Sequence, residues 1–185
     1  GSNIQLTIDL EYQSILEEEL KKRQEETNSS SATGIIMDPE TGEVLAMATT
    51  PGFDNNHFGS TRPEFHRIRS ITDQFEPGST FKVVSTVSAL YDGLISLNDE
   101  FNCENGSFEY HTKKVTDHES YSMLTASQII HHSSNIGIIK IMDQVGQKKL
   151  FSMSRDFGFG SKTGINLNGE VSGKLNHYND WSAVS

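Results

Sequence analysis

The chain has 185 residues, enough for one ordinary domain or for part of a larger one, and a formal net charge of −10. This acidic balance argues against a nucleic-acid partner, because such binding depends on Lys and Arg neutralising phosphates. No stretch approaches the roughly 20 consecutive apolar residues of a membrane span. The opening Gly1-Ser2 is typical of an expression-tag scar, so an anchor of the native protein could lie outside these residues.

The first predicted element is a helix from Asp9 to Glu26, with Asp9 as its N-cap. An apolar stripe at helical spacing should turn toward the core, and it consists of Tyr12, Ile15, Leu16 and Leu20. A hairpin follows, with strands at Thr33–Met37 and Glu43–Thr49 joined by a Pro- and Gly-containing turn. Residues 53–68 show little periodicity and are predicted to be an irregular loop.

The second half of the chain is predicted to be mainly helical. A helix should begin near Ser79 and end at Gly93, and residues 98–117 should form loop with short strands. Three more helices follow, with predicted bounds Thr125–Ile130, Asn135–Val145 and Lys148–Asp156.

Ser79 and Lys82 form an S-x-x-K pair at the start of a predicted helix. Positions i and i+3 share one helical face, with Cβ atoms roughly 5–6 Å apart, so the amine can reach the hydroxyl. A serine hydroxyl becomes a strong nucleophile when a base takes its proton. Lys82 can be that base if burial lowers its pKa toward neutrality. The alternative is an incidental pair on a helix surface.

Ser133, Ser134 and Asn135 stand between two predicted helices. Short hydroxyl and amide residues in a row are typical of a cap or turn. In a catalytic role, Ser133 could pass a proton to a leaving amine, while Asn135 could hold the lysine and a substrate amide.

The residues around these pairs carry a family resemblance. The run from Arg69 through Glu76-Pro-Gly-Ser-Thr-Phe-Lys82, the later Ser133-Ser-Asn-Ile-Gly137, and the glycine-rich 157–170 segment resemble the transpeptidase domain of class B penicillin-binding proteins. The hairpin turn with Asp38-Pro-x-Thr-Gly42 and the run Asp117-His-x-x-Tyr121 are also similar to that family.

Lys162-Thr163-Gly164 spells the third motif of this family, K-T-G. In the family that motif lies on a sheet strand far beyond the second motif, whereas this tripeptide follows Asn135 closely in a glycine-rich connector. We therefore interpret it as a look-alike of the catalytic motif. The resemblance implies that residues 3–185 are the N-terminal and central part of the domain, with the C-terminal strands missing.

The resemblance implies an α+β fold of the penicillin-binding-protein and serine β-lactamase type. An antiparallel sheet flanked by helices, incomplete in this chain, is expected beside an all-helical lobe, with the active site between them. It implies catalytic roles for Ser79, Lys82, Ser133 and Asn135, with no cofactor and no metal. One oxyanion donor would come from the missing strand, so we expect this chain to acylate slowly or not at all.

By the same resemblance, the native reaction is D,D-transpeptidation of peptidoglycan stem peptides through a serine acyl-enzyme that β-lactams also form. The expected place is the extracytoplasmic side of the bacterial cytoplasmic membrane, with a membrane glycan polymerase as a partner. A role in elongation, division or sporulation stays open. A D,D-carboxypeptidase, a β-lactamase, a penicillin sensor and a non-catalytic helical binding module are the alternative functions.

Overall fold

The computed structural model of the chain describes residues 2–182. Its helices and short antiparallel sheets form an α+β fold, as the sequence predicts. The chain divides into two compact units. Unit 1 contains Gly1–Asp73 and Asn166–Val171, and unit 2 contains Gln74–Ile165 and Ser172–Ser185, each in its described part.

Unit 1 consists of a long helix followed by a hairpin and a short helix. Its elements are α1 (Leu10–Thr27), β1 (Ala32–Met37), β2 (Val44–Thr50) and α2 (Arg69–Thr72). The predicted N-cap is confirmed, because Asp9 accepts hydrogen bonds from the backbone N–H groups of Glu11 and Tyr12. The strands pair antiparallel from Ala32↔Thr50 onward, as predicted.

Helix α1 packs on the hairpin through a small-residue contact. A Cβ atom on Gly34 would lie 2.8 Å from Leu16 Cδ1, so the absence of a side chain permits this approach. The predicted core stripe is only partly correct, because Tyr12 and Ile15 are 47% and 51% exposed. A sheet of two strands covers only part of the circumference of the helix, and these two side chains lie beyond it.

The segment between β2 and α2 has no long element, as predicted. It contains two short 3-10 turns, Asn55–Ser60 and Pro63–His66. The ring of Phe58 stacks on that of His66, with centroids 3.9 Å apart.

Unit 2 is mainly helical and carries four short strands. Its helices are α3 (Lys82–Tyr91), α4 (Ala126–His131), α5 (Asn135–Val145) and α6 (Gln147–Asp156). Its strands are β3 (Glu100–Asn102), β4 (Ser107–Tyr110), β5 (Lys113–Thr116) and β6 (Met123–Thr125). Strand β3 pairs with β6, and β4 pairs with β5, both antiparallel. The predicted helices are confirmed to within a few residues.

The core of unit 2 lies where α3, α4, α5 and α6 meet. Its fully buried side chains include Ile129 of α4 and Ile141 of α5. Cys103 is also fully buried in this core. Thr125 begins α4 with a capping box, since its hydroxyl accepts from the Gln128 N–H and the Gln128 side chain accepts from the Thr125 N–H.

Candidate active site

Ser79 lies in a 3-10 turn, Gly78–Phe81, which runs directly into α3. Gly78 has φ +58°, a left-handed conformation that glycine adopts at no steric cost. The turn leaves Ser79 exposed at the amino end of the helical segment, where free N–H groups create positive potential. Lys82 is the first residue of α3 and is only partly exposed.

The turn between α4 and α5 contains Ser133 and Ser134, and α5 begins at Asn135. Ser133 has φ +54°, which few residues other than glycine adopt. Ser134 is buried and caps α5, because its Oγ accepts from the Gly137 N–H at 2.9 Å. Its own N–H donates to Ile129 O at 3.0 Å, which ties the turn back to α4.

Lys82 reaches this turn with three hydrogen bonds. Its Nζ donates to Ser133 O at 2.5 Å, to Ser133 Oγ at 3.0 Å and to Asn135 Oδ1 at 2.8 Å. An ammonium has three donors, and these acceptors match them in number. The structure therefore brings together three of the four residues that the sequence singled out.

The environment of Lys82 lowers the pKa of its amine below the ordinary value. Burial is the main cause, because a partly desolvated site disfavours the charged form. The negative charge of Asp117 acts in the opposite direction and raises this pKa. The direction is the one that a lysine base requires.

Ser79 is the fourth predicted residue, and its hydroxyl stands apart from these contacts. Within residues 2–182, Ser79 Oγ has no hydrogen-bond partner, and the amine of Lys82 points to the S-S-N turn instead. The two side chains lie three positions apart along the helical segment, so they share one face. Catalytic hydrogen bonds often tighten only when substrate is bound.

Asp117 belongs to the site, although no catalytic role was predicted for it. Its Oδ2 accepts from Ser134 Oγ at 2.6 Å, and its Oδ1 accepts from the N–H groups of Asn135 and Ile136 at 2.5 and 3.1 Å. Capping residues usually stand next to their helix, whereas Asp117 precedes Asn135 by 18 positions. The one sequence signal for a role of Asp117 was its place in the run from Asp117 to Tyr121, which is similar to the family.

The K-T-G look-alike lies in unit 2, outside any strand. Lys162 and Thr163 are exposed in the irregular segment after α6, where Thr163 Oγ1 accepts from the Ile165 N–H at 3.2 Å. This placement agrees with the interpretation that the tripeptide is not the motif found on a sheet strand.

Two features of residues 2–182 bear on metal binding and on membrane insertion. No group of three or more His, Cys, Asp or Glu side chains there is arranged to hold a metal ion. None of the helices in that part of the chain has the length and apolar character needed to cross a membrane.

Comparison with known proteins agrees with this geometry. The family model described as the penicillin binding protein transpeptidase domain matches residues 32–185. Stage V sporulation protein D of Bacillus subtilis strain 168 is 31% identical over 178 residues, which are 95% of this chain and 28% of that protein. The peptidoglycan D,D-transpeptidase FtsI of Escherichia coli K12 is 34% identical over 182 residues, 98% of this chain and 31% of FtsI.

A solved structure has the same fold. The TP domain of penicillin-binding protein 3 from Burkholderia pseudomallei superposes with a TM-score of 0.84 at 28% identity, covering 100% of this chain and 52% of that one. On this fold, an exposed serine stands one turn before a lysine that is held by the S-S-N turn. The chain belongs to the penicillin-binding protein transpeptidase family. It spans about three tenths of the length of the curated relatives named above.

Proposed function

We propose that the whole protein containing this chain is a peptidoglycan D,D-transpeptidase that works through an acyl-enzyme on Ser79. The observation that carries the proposal is the set of hydrogen bonds from Lys82 Nζ to Ser133 and Asn135, at 2.5–3.0 Å. These bonds fix an amine of lowered pKa on the helical face that also carries the serine. Family membership and the names of the relatives support the same reaction.

In the first step Ser79 Oγ attacks the carbonyl carbon of the penultimate D-Ala of a stem peptide. The hydroxyl proton passes to neutral Lys82, and the carbonyl oxygen gains negative charge. The amino end of the Gly78–Phe81 turn favours this charge, and the Ser79 N–H is one donor to it.

In the second step the C–N bond to the terminal D-Ala breaks. The proton held by Lys82 moves through Ser133 Oγ, 3.0 Å away, to the leaving nitrogen, so that free D-Ala departs and an ester remains on Ser79. An amino group of a second stem peptide then attacks the ester. Its surplus proton returns by way of Lys82 to Ser79 Oγ, and a new amide joins the two peptides.

Asn135 would serve both the lysine and the substrate. Its Oδ1 accepts from Lys82 Nζ at 2.8 Å, and its Nδ2 donates to Thr116 O at 2.9 Å. The second bond fixes the amide orientation, so the oxygen faces the lysine. A substrate amide entering beside it would find an oriented polar group and not a freely rotating one.

A β-lactam would follow the first step, because its strained amide takes the place of the D-Ala–D-Ala bond and leaves a durable ester on Ser79. The natural substrate lies outside the cytoplasmic membrane, so we assign the catalytic domain to that side. A membrane glycan polymerase, which supplies the strands to be cross-linked, is the expected partner.

The test uses the whole protein, a synthetic stem pentapeptide ending in D-Ala-D-Ala, and an amine acceptor peptide. Mass spectrometry should find the cross-linked product together with one free D-Ala per bond formed. Ser79→Ala should abolish both, while Ser152→Ala, an exposed serine of α6, serves as the matched control and should retain them.

The carboxypeptidase, the β-lactamase and the sensor alternatives each give their own result in this assay. Release of D-Ala without cross-linking would indicate a D,D-carboxypeptidase, and rapid multiple turnover of penicillin would indicate a β-lactamase. Stable acylation by penicillin without reaction of any peptide would indicate a sensor. Unchanged cross-linking in Ser79→Ala would contradict the proposed function.

A further inference from the structure

Within residues 2–182, the side-chain carboxylate of Asp117 directs its hydrogen bonds at one turn. Its oxygens accept from Ser134 Oγ and from the backbone N–H groups of Asn135 and Ile136, at 2.5–3.1 Å. The residue directly before it, Thr116, accepts from Asn135 Nδ2 at 2.9 Å. The end of β5 therefore holds both the backbone and the side chain of Asn135.

These contacts satisfy the amino end of α5. The first N–H groups of a helix have no partner within the helix. Asp117 takes those of Asn135 and Ile136, and Ser134 Oγ takes that of Gly137 at 2.9 Å. Ser134 Oγ accepts there and also donates its own proton to Asp117. Asp117 thus contacts the N–H groups of Asn135 and Ile136 directly and is linked to that of Gly137 through Ser134 Oγ.

The turn that Asp117 holds is conformationally costly. Ser133 has φ +54°, and such a conformation in a residue other than glycine persists when surrounding contacts fix it. In this conformation, Ser133 O and Oγ both face Lys82 Nζ. If the cap were released, Ser133 could relax toward a more common conformation and lose one or both contacts.

We propose that Asp117 is the positioning residue of this site, which fixes the S-S-N turn so that Ser133 and Asn135 meet Lys82. The proposal rests on the proposed acyl-transfer function for its catalytic consequence, and on the hydrogen bonds above for its structural one. Asp117 acts through other residues, since its own oxygens are occupied by the turn.

Asp117 also has an electrostatic effect on Lys82. Its negative charge favours the ammonium form and so raises the pKa of Lys82 against the effect of burial. Removal of this charge should therefore lower the pKa of Lys82 further. On the acidic side of its pH profile, the acylation rate follows the neutral fraction of the amine. This acidic limb of the profile should then move to lower pH.

The experiment compares the whole protein with its Asp117→Asn and Asp117→Ala variants and uses Asp9→Asn as a matched control. Asp9 caps α1 in the other unit with the same chemistry, accepting from two backbone N–H groups. Two readouts are needed: the rate of acylation by a fluorescent penicillin as a function of pH, and hydrogen–deuterium exchange of residues 133–137.

For Asp117→Asn we expect acylation about 10- to 100-fold slower at its optimum, because a charge-assisted set of hydrogen bonds is lost. Its acidic limb should lie at lower pH, and residues 133–137 should exchange faster while the remainder of unit 2 is unchanged. Asp117→Ala should show the larger loss. Asp9→Asn should change exchange only at the start of α1.

The proposal would be overturned if Asp117→Asn kept the wild-type acylation rate, the wild-type acidic limb of the pH profile and the wild-type exchange of residues 133–137. So would a loss of rate with faster exchange throughout unit 2 and no shift of the limb, because that result describes a merely structural residue. If wild-type protein is not acylated at all, the proposed function fails, and the exchange of residues 133–137 still decides whether Asp117 positions the turn.

Discussion

Lys82 Nζ donates a hydrogen bond of 2.8 Å to Asn135 Oδ1 across 53 positions of sequence. This contact joins the first turn of α3 to the first residue of α5, and Ser133 adds two further acceptors from the same turn. A buried core of α3, α4 and α5 supports both ends of the contact. The amine is thus placed by the packing of helices and not by a mobile loop.

Replacement of Lys82 by Met should remove the base while keeping the apolar stem. We expect acylation of Ser79 by a fluorescent penicillin to fall about 100- to 10,000-fold, the usual range for loss of a general base. Lys149→Met is the matched control, because Lys149 pairs with Asp92 on the surface at 2.8 Å. An equal loss in both variants would show that Lys82 is not the base.

Asn135→Asp should shift the pH dependence of acylation upward. A carboxylate at the Oδ1 position, 2.8 Å from Lys82 Nζ, would favour the ammonium and raise the pKa of Lys82. Less neutral amine would remain near pH 7, so the rate there should fall and the acidic limb should move to higher pH. Asn98→Asp adds the same charge at an exposed turn and should leave the limb in place. An acidic limb that moves to lower pH or stays in place in Asn135→Asp would contradict the assignment of Asn135 as the partner of the Lys82 base.

Gly137→Ala should loosen the packing of α4 against α5. A Cβ at this position would lie 2.5 Å from Ile129 Cγ1, and Ile129 is fully buried. Overpacking of this kind costs about 1–3 kcal/mol. Urea unfolding of Gly137→Ala, alone and combined with Ile129→Ala, measures the coupling. The cost of the alanine should shrink in the combined variant, and an equal cost in both backgrounds would be evidence against the clash.

Tyr110 should contribute stability that disappears in alkali. Its hydroxyl donates to Asp143, and this bond raises the pKa of Tyr110 to about 12 from its ordinary value of 10.0. Because the folded-state pKa is the higher one, the contribution is complete below about pH 10 and is lost as the pH rises to about 12.

Urea unfolding of wild type and Tyr110→Phe across this range measures the contribution. The difference in unfolding free energy should be constant below about pH 10 and then fall. In an Asp143→Asn background the pH dependence should largely disappear. A difference that stays constant to pH 12 in both backgrounds would contradict the hydrogen bond.

Local patterns were sufficient for most elements of this fold. Asp9 and Thr125 predict the starts of their helices, because a capping residue lies next to the helix that it begins. The hairpin strands are evident from two apolar runs around a turn. Tyr12 and Ile15 were assigned wrongly to the core, because periodicity identifies an apolar face but not how much of it a two-stranded sheet covers.

The site was only partly predictable for a related reason. S-x-x-K and S-S-N are short motifs, and their residue types suggested that Asn135 could hold Lys82. They did not reveal that the backbone oxygen of Ser133 also accepts from the amine. Asp117 acts at a distance in sequence, through a β-strand end that packs beside α5. Such a partner becomes visible only when the fold brings the two segments together.

The most direct test of the account is to locate the covalent adduct of penicillin on the whole protein. After reaction and proteolysis, mass spectrometry should find one penicilloyl group per molecule, on the peptide that contains Ser79, and none on it in Ser79→Ala. The Lys82→Met protein should carry the adduct on the same peptide but acquire it far more slowly. An adduct on any other residue, or an undiminished yield from Ser79→Ala, would contradict the assignment of Ser79 as the nucleophile.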